Sequence, residues 1–348
     1  MPHIYPFSQF WPFYAVFSVG VMVVLWTSLK AFHRKAHEVS VREASISALS
    51  WMCLALVFNV ILYFFTLYRL GNEPDVVAKF GAEPSVLAQR TALEFLSGYL
   101  VEKALAVDNL FVFIVIFRFF SIPAHFQHRV LFYGLFGALA LRALFIAMGA
   151  AVMDIHWVVI GFGFFLIYQG IEVMRGKEPE IHPEKNRMLR FLNRYLPISQ
   201  RLEGEKFFTH ESGKWMVTPL FIALIFIEIT DIMFAFDSVP AIFGLTKEPL
   251  VVFTSNIFAV IDLRALYFLL AAFIGRFHYL SIGLSLVLVF IGSKMAILDG
   301  FLSYTLPTEV SLLVVLGLIG GSILLSLVKP PTKGQQEAEQ AAKDSRTN

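Results

Sequence analysis

Ile46 to Tyr68 read ISALSWMCLALVFNVILYFFTLY, a stretch of 23 residues without one charged side chain. An α-helix needs about 20 consecutive apolar residues to cross the hydrocarbon core of a bilayer. Trp11 to Leu29 and Val310 to Val328 are two further stretches of this kind. The three stretches predict three transmembrane helices and place the chain among the integral membrane proteins.

Six other apolar stretches contain ionisable residues, and we predict that they also span the membrane. They are Phe95 to Phe117, Val130 to Met153, Trp157 to Met174, Trp215 to Leu245, Val251 to Gly275 and Leu280 to Leu298. The chain as a whole has 57% hydrophobic and 16% charged residues and a mean hydropathy of +0.69, more apolar surface than a soluble core of this size would bury. The sequence therefore predicts an all-α membrane protein with about nine transmembrane helices.

Composition also narrows the classes of function. The net charge is +2 and the basic residues are spread over loops, which argues against a nucleic-acid partner. The chain has one cysteine, Cys53, so no disulfide or paired-thiol site forms within it. No nucleophile motif, phosphate loop or metallohydrolase pattern is present, and we expect neither an enzyme nor a resident cofactor.

Basic residues of short loops mark the cytoplasmic side of a membrane protein. They fall on alternate loops here: Lys30 to Arg42, then Arg118 and Arg129, then the long loop 175 to 216. This alternation predicts an N-terminus outside the cell and a C-terminus in the cytoplasm.

The chain contains an internal repeat. Leu141-Arg142-Ala143-Leu144 recurs as Leu263-Arg264-Ala265-Leu266, at an offset of 122 residues (264 − 142 = 122), and Gly161, Gly170 and His156 match Gly283, Gly292 and His278 at the same offset. Upstream, Glu102 and Asp108 match Asp231 and Asp237 at an offset of 129 (231 − 102 = 129). Each copy holds three predicted spans, so the second copy enters the membrane from the opposite face. The copies are therefore predicted to be inverted repeats.

The expected organisation follows from these boundaries. It comprises two leading helices and an outer loop (1–93), the first repeat (94–176), a cytoplasmic loop (177–216), the second repeat (217–295), a final helix (296–328) and a disordered cytoplasmic tail (329–348). Inverted repeats place their substrate site near the midplane, often where a helix is interrupted. Pro240 and Gly244 are the interruptions we expect, and a short amphipathic helix is expected around Asn186 to Leu196.

Charged residues inside a bilayer are costly and are functional hypotheses by default. Four acids occupy matched positions at the repeat starts: Glu102, Asp108, Asp231 and Asp237. Carboxylate, amide and hydroxyl oxygens suit hard cations such as Mg²⁺, Ca²⁺ and Mn²⁺. Since such acids hold protons in a low dielectric, metal binding that releases protons would give metal/proton antiport.

A structural reading competes with the functional one for each charge. The four acids could form an ion-pair network between the repeats, and Arg142, Arg264 and Lys103 are expected to pair with carboxylates, because buried ions need partners. Glu228 and Asp262 have no acidic match in the other copy, and either role is open for them. The matched histidines are expected at the membrane interface rather than as ligands.

Two segments resemble the signatures of the TerC/Alx family of integral membrane proteins. The first is Glu94-Phe95-Leu96-Ser97-Gly98-Tyr99-Leu100-Val101-Glu102-Lys103-Ala104-Leu105-Ala106-Val107-Asp108-Asn109. The second is Glu228-Ile229-Thr230-Asp231-Ile232-Met233-Phe234-Ala235-Phe236-Asp237-Ser238-Val239-Pro240-Ala241-Ile242-Phe243, followed by Thr254-Ser255-Asn256 and Leu263-Arg264-Ala265-Leu266-Tyr267-Phe268-Leu269-Leu270.

The resemblance implies an inner-membrane exporter whose substrate is manganese, with protons and the lipid bilayer as the other partners. It also implies metal-path roles for the four matched acids together with Asn109 and Asn256, supported by charge pairs at Lys103, Arg142, Glu228 and Arg264. Family members have been linked to tellurite resistance, to alkaline pH and to membrane-protein insertion. Two alternatives therefore stay open: export of another cation such as calcium, and a factor that assists insertion or assembly of membrane-protein partners.

Overall fold

The protein is almost entirely helical. The computed structural model describes residues 3–32, 40–152, 155–175, 197, 199, 204–211, 214–272, 279–302, 304 and 306–328. Its helices are α1 (Phe7–Phe32), α2 (Val41–Asn72), α3 (Pro74–Phe80), α4 (Pro84–Phe119), α5 (Ala124–Val152), α6 (His156–Met174), α7 (Pro219–Phe243), α8 (Pro249–Val260), α9 (Leu263–Ala272), α10 (Leu280–Ser293) and α11 (Thr308–Val328). A π-helical segment, Lys294–Phe301, continues α10. This confirms the all-α membrane class.

Seven of the described helices are long and apolar enough to span a membrane, and the pair α8 and α9 makes an eighth. The ninth predicted span lies in α4, which has 36 residues but carries Glu102, Lys103 and Asp108 within its apolar stretch. Large apolar side chains are exposed along these helices, for example Val16 at 72% and Val60 at 55%. Lipid is the solvent that such a surface fits. The count of nine spans stays a prediction.

A two-stranded antiparallel sheet precedes α7. Its strands, Phe208–Glu211 and Lys214–Val217, pair Phe208 with Val217 and His210 with Trp215. The predicted span from Trp215 therefore begins four residues later, at Pro219, because the chain is extended up to Val217. The helix expected around Asn186 to Leu196 and the tail from Lys329 lie outside the described residues.

One span is broken, but not where the sequence suggested. Helix α7 continues through Pro240 and ends at Phe243, with Gly244 as its cap. The interruption lies instead between α8 and α9, which are bent by 45° at Ile261 and Asp262. The expectation of a break at Pro240 is therefore wrong, because a proline this close to the helix end removes one backbone hydrogen bond, to the Phe236 carbonyl, and the helix continues without it.

Helices α6 and α10 touch backbone to backbone. A Cβ on Gly163 would lie 2.8 Å from the Gly292 carbonyl oxygen, and a Cβ on Gly170 would lie 2.7 Å from that of Ser285. The offset of 122 relates Gly163 to Ser285 and Gly170 to Gly292, so an exchange of the two copies turns one contact into the other. The predicted two-fold relation between the repeats is supported by this pair of contacts.

The remaining packing follows the same scheme. Helix α4 contacts α7 and α8, and α5 contacts α7. The leading helices α1 and α2 pack outside this bundle through aromatic rings, with Phe58 4.9 Å from Phe258 and 5.3 Å from Phe95, measured between ring centroids. The buried centre of the bundle is thus formed by α4, α5, α7 and α8, two helices from each copy.

Candidate cation site

Four polar side chains from four helices meet at this centre. Arg142 of α5 is 2% exposed, and its Nη1 donates hydrogen bonds to the carboxylate of Glu102 on α4 and, at 2.9 Å, to the amide oxygen of Asn256 on α8. The same nitrogen lies 3.4 Å from the hydroxyl of Ser238 on α7. Asn256 Nδ2 donates back to the second Glu102 oxygen at 3.3 Å. We call Glu102, Arg142, Ser238 and Asn256 the central cluster.

The hydrogen bonds of Arg142 are unevenly distributed. Three oxygen atoms surround Nη1, which carries two hydrogens, while Nε and Nη2 have no hydrogen-bond partner among the described residues. A guanidinium normally spreads its five N–H donors over several acceptors. The cluster is therefore a ring of oxygen atoms around one cationic nitrogen, rather than a fork-shaped arginine site.

A glycine brings the helices close enough for this cluster. Gly98 lies one turn before Glu102, and a Cβ there would be 2.8 Å from Ser255 Oγ and 3.2 Å from Ile242 Cγ2. Any larger residue at 98 would push α4 away from α7 and α8. The glycine thus allows Glu102 to reach Asn256, the neighbour of Ser255.

Asp231, the repeat match of Glu102, is buried beside the cluster. It interacts electrostatically with Arg142 and with Glu228. A small cavity of about 10 Å³, lined by Asp231 and Arg264, lies next to it. The Glu228 carboxylate lies against Gly137 of α5, where a Cβ would come within 2.1 Å of its oxygens. Two acids of α7, Asp231 and Glu228, are therefore close to α5, in addition to Glu102 of α4.

The predicted charge pairs are present in part. Arg142 pairs with Glu102, and Lys103 forms an ion pair with Asp262, the residue at the bend between α8 and α9. Arg264 lies with its Nη1 3.1 Å from His128 Nε2. The bent span is thus tied to α4 through a buried acid, which favours a structural role for Asp262.

The other predicted ligands lie elsewhere. Asp237 is half-buried and accepts a hydrogen bond of 3.0 Å from Gln169 on α6. Asn109 is buried one helical repeat after Glu102. Asp108 lies in α4, and its side chain is outside the described residues. His156 begins α6, as its expected interfacial position requires, and His278 is outside the described residues.

The acids do not form a group of metal ligands in this arrangement. Among the described residues, no three His, Cys, Asp or Glu side chains lie together so that they could hold a metal ion. Glu102 is occupied by Arg142, and Asp237 faces α6. The six metal-path residues therefore stay a prediction, of which Glu102 and Asn256 are in direct contact.

Comparison with known proteins identifies the family. The model of the integral membrane protein TerC family matches residues 87–334, which include both repeats and the central cluster. The chain belongs to the TerC family. No solved structure matches it.

Relatives within the TerC family cover nearly the whole chain. A membrane protein of Myxococcus xanthus, STKORF319, is 45% identical over 91% of this chain and 92% of its own length. The Alx proteins of Salmonella typhi and Escherichia coli K12 are 38% and 39% identical over 89% and 87% of the chain, and over 92% and 90% of their own lengths. Their names describe a membrane-bound redox modulator.

A second polar site in this TerC chain was not predicted. A cavity of about 480 Å³ lies where α4 begins and α7 ends, and buried polar side chains line it. These are Thr91, Glu94, Thr246, Glu248 and Lys294. We call it the Glu248 cavity. Glu94 opens the first TerC signature and Lys294 is an ionisable residue within a predicted span, so both could have been found from the sequence.

Three charged side chains of the Glu248 cavity, Glu94, Lys294 and Glu248, have hydrogen-bond partners, whereas Asp299 Oδ1 has none among the described residues. Glu94 accepts from Arg90 at 2.8 Å and from Thr246 at 2.6 Å, and Lys294 donates to the Gly244 carbonyl at 3.0 Å. The Glu248 carboxylate accepts hydrogen bonds from the backbone N–H groups of Ile4, at 2.7 Å, and of Tyr5, at 3.3 Å. Burial raises the pKa of Glu248 to about 7, against the opposing effect of these two donors.

Proposed function

We propose that this protein is a secondary transporter that exports a divalent metal cation across the inner membrane, with manganese as its substrate and proton entry as its driving reaction. The observation that carries the proposal is the central cluster: carboxylate, amide and hydroxyl oxygens from both repeats surround one cationic position in the middle of the bundle. Sites near the midplane at the repeat interface are where inverted-repeat transporters bind their substrates.

The ligand atoms favour a hard cation. Glu102, Asn256 and Ser238 supply oxygen atoms, and the single cysteine, Cys53, is exposed on α2. Oxygen ligands suit Mg²⁺, Ca²⁺ and Mn²⁺ rather than the softer metals. Of these three, manganese changes its oxidation state readily, so its export would alter cellular redox chemistry. The redox role in the names of the Alx relatives supports manganese in this sense.

A route from the cluster to the cell exterior is part of the proposal. With the N-terminus outside, the Glu248 cavity lies on the exterior side, because the N-terminal residue Ile4 lines it and Glu248 accepts hydrogen bonds from the N–H groups of Ile4 and Tyr5. Glu94 and Glu102 are both on α4, about 12 Å apart along the helix. Between them, Gly98 packs tightly against Ser255 and Ile242. This contact would have to open for a cation to pass from the cluster into the cavity.

Antiport and the absence of catalysis belong to the same proposal. Buried carboxylates exchange protons for a cation without any covalent step. Glu102, Asp231 and Asp237 could each carry such a proton. The protein would then be a transporter rather than an enzyme.

Manganese flux into proteoliposomes tests the proposal. We would compare the wild type with Glu102→Gln, Asp108→Asn and Asp237→Asn, with calcium and magnesium as competitors and with an imposed pH gradient. The proposal expects uptake that prefers manganese, responds to the gradient and is lost in the variants. Folded wild-type protein that moves no divalent cation would refute it, and a preference for calcium would favour the other cation.

One feature favours a second candidate, a factor in membrane-protein assembly. The two-stranded sheet before α7 exposes Trp215 at 71% and Phe208 at 49%, large rings that a partner protein could cover. Deleting residues 180–212 should abolish assembly activity and spare transport, whereas Asp237→Asn should do the reverse.

A further inference from the structure

We propose that Arg142 is a tethered competitor of the transported cation: its guanidinium occupies the cation position between Glu102, Ser238 and Asn256 when the site is empty, and moves onto Asp231 when a divalent cation binds. This inference rests on the proposed function. It adds the resting occupant of the site and the acid that receives this occupant.

The first step of the argument is the geometry around Nη1. Glu102, Ser238 and Asn256 place three oxygen atoms around this one nitrogen, and the second Glu102 oxygen is bound by Asn256 Nδ2. Convergence of oxygens on a point is what a hard cation requires. The guanidinium therefore stands where a metal ion would be bound by the same atoms.

The second step is that Arg142 is held at one end only. Its Nε and Nη2 are buried and have no hydrogen-bond partner among the described residues. A buried donor without an acceptor costs free energy. The arginine is thus bound less firmly than its burial would suggest, and its displacement leaves fewer bonds to be replaced.

The third step is the presence of a second acid within reach. Asp231 interacts electrostatically with Arg142 and is itself buried. It is also the repeat match of Glu102. A movement of the guanidinium from Glu102 toward Asp231 would satisfy donors that are unpaired now and would keep the arginine next to a negative charge.

Charge balance favours the same exchange. A divalent cation beside a fixed guanidinium would place three positive charges near Glu102 in a medium of low dielectric. With the guanidinium on Asp231, the cation meets the whole charge of Glu102. Binding of the metal and movement of Arg142 are therefore coupled events.

Manganese binding to the purified full-length protein tests the exchange without any need for transport. Arg142→Gln removes the competitor and should bind Mn²⁺ at least tenfold more tightly than the wild type. Arg129→Gln, the same change at an arginine 13 residues earlier on α5 (142 − 129 = 13) that pairs with Glu205, should leave the affinity within about threefold of the wild-type value. Equal affinities of wild type and Arg142→Gln would overturn the inference.

A double-mutant cycle separates competition from simple removal of a charge. Asp231→Asn should weaken Mn²⁺ binding at least fivefold in the wild-type background, because the arginine loses its destination. In the Arg142→Gln background the same change should have less than a twofold effect. If Asp231→Asn weakens binding equally in both backgrounds, Asp231 is a direct ligand and the inference is wrong.

Chemical rescue gives an independent readout. In Arg142→Ala, free methylguanidinium should compete with Mn²⁺, whereas it should have no effect on the wild type, whose site is already filled. Absence of competition in Arg142→Ala would also count against the inference. If the Gln and Ala variants do not fold, the double-mutant cycle with Asp231→Asn is run on Arg142→Lys. In that background Asp231→Asn should change Mn²⁺ affinity at least threefold less than in the wild type. An unchanged effect would overturn the inference.

The two proposals fail in different ways. If the wild type transports manganese and Arg142→Gln binds it with unchanged affinity, the competitor role of Arg142 is refuted and the exporter proposal stands. If the wild type neither transports nor binds manganese and the variants do not bind it either, both proposals are refuted.

Discussion

The tetrapeptide Leu-Arg-Ala-Leu occurs twice in this chain, and its two arginines have different surroundings. Arg142 lies within the continuous helix α5 and bonds Glu102 and Asn256, whereas Arg264 is the second residue of α9, just after the 45° bend, and contacts His128. The two copies share a sequence pattern and adopt different local states. The positive charge in the central cluster comes from the first copy. A transporter with two states would interchange these two local states between its copies.

The largest expected effect on transport concerns the matched acids. Glu102→Gln removes the carboxylate of the central cluster and should lower manganese flux at least a hundredfold, about 2.7 kcal/mol in the barrier. Asp231→Asn should lower it about tenfold, because this acid receives the arginine rather than the cation. Flux per reconstituted protein measures both. A larger loss in Asp231→Asn would mean that the copies have the opposite roles.

The matched arginines should differ in stability. Arg142→Ala leaves Glu102 as a buried charge without its partner, which costs about 3 to 5 kcal/mol of unfolding free energy. Arg264→Ala loses a partly buried hydrogen bond and should cost about 1 to 2 kcal/mol. Denaturation in detergent micelles compares the two. Equal losses of unfolding free energy would show that the buried ion pair of Arg142 stabilises the protein no more than the hydrogen bond of Arg264.

The starts of α8 and α5 differ as well, since Glu248 precedes α8, whereas Pro123 precedes α5 and the first turn of α5 contains no acid. Burial raises the pKa of Glu248 from its ordinary value of 4.5 to about 7, so the folded state keeps a proton that the unfolded chain releases. Its contribution to stability is full below about pH 4.5, falls as the pH rises to about 7, and is constant above.

The difference across this window is at most about 3 kcal/mol. Melting curves of the wild type and Glu248→Gln between pH 4.5 and 8 should therefore diverge, with the wild type losing stability relative to the variant as the pH rises. Parallel pH profiles would contradict this assignment.

The smallest effects test where the two copies are alike. Gly163→Ala and Gly170→Ala each place a methyl group within 3 Å of the backbone of α10 or its π-helical extension and should each cost about 1 to 3 kcal/mol. Gly161→Ala has nothing within 4 Å and should be neutral or stabilising by up to about 1 kcal/mol. Unequal losses of stability in Gly163→Ala and Gly170→Ala would argue against a symmetric contact.

Several features were predictable from the sequence because they depend on local physics. The length of uncharged stretches fixes membrane helices such as Ile46 to Tyr68, which lies within α2. The cost of a buried ion requires a partner, which Arg142 finds in Glu102 and Lys103 finds in Asp262. Glu102 and Asn109 are seven residues apart, about two helical turns, and both are buried on α4.

Other features depend on contacts between distant segments, and spacing within one helix does not reveal them. The break fell at Asp262, where an ion pair with Lys103 holds the bend, and proline content gave no sign of it. The Glu248 cavity joins Glu94 to Thr246, residues 152 positions apart, and Glu248 itself is bonded to the N-terminal residues Ile4 and Tyr5. The four acids at matched positions do not all meet: Asp237 follows Asp231 by six residues, which turn a helix by about 600°, and it bonds Gln169 on α6.

The glycine contact between α6 and α10 has a consequence for biogenesis. Gly170 and its repeat match Gly292 are 122 residues apart (292 − 170 = 122), and ribosomes add about 5 to 20 residues per second. For roughly ten seconds after α6 is made, its glycine face has only lipid against it, because the backbone that fills it does not yet exist. The first copy is therefore an unfinished structure during synthesis, and the second copy completes it.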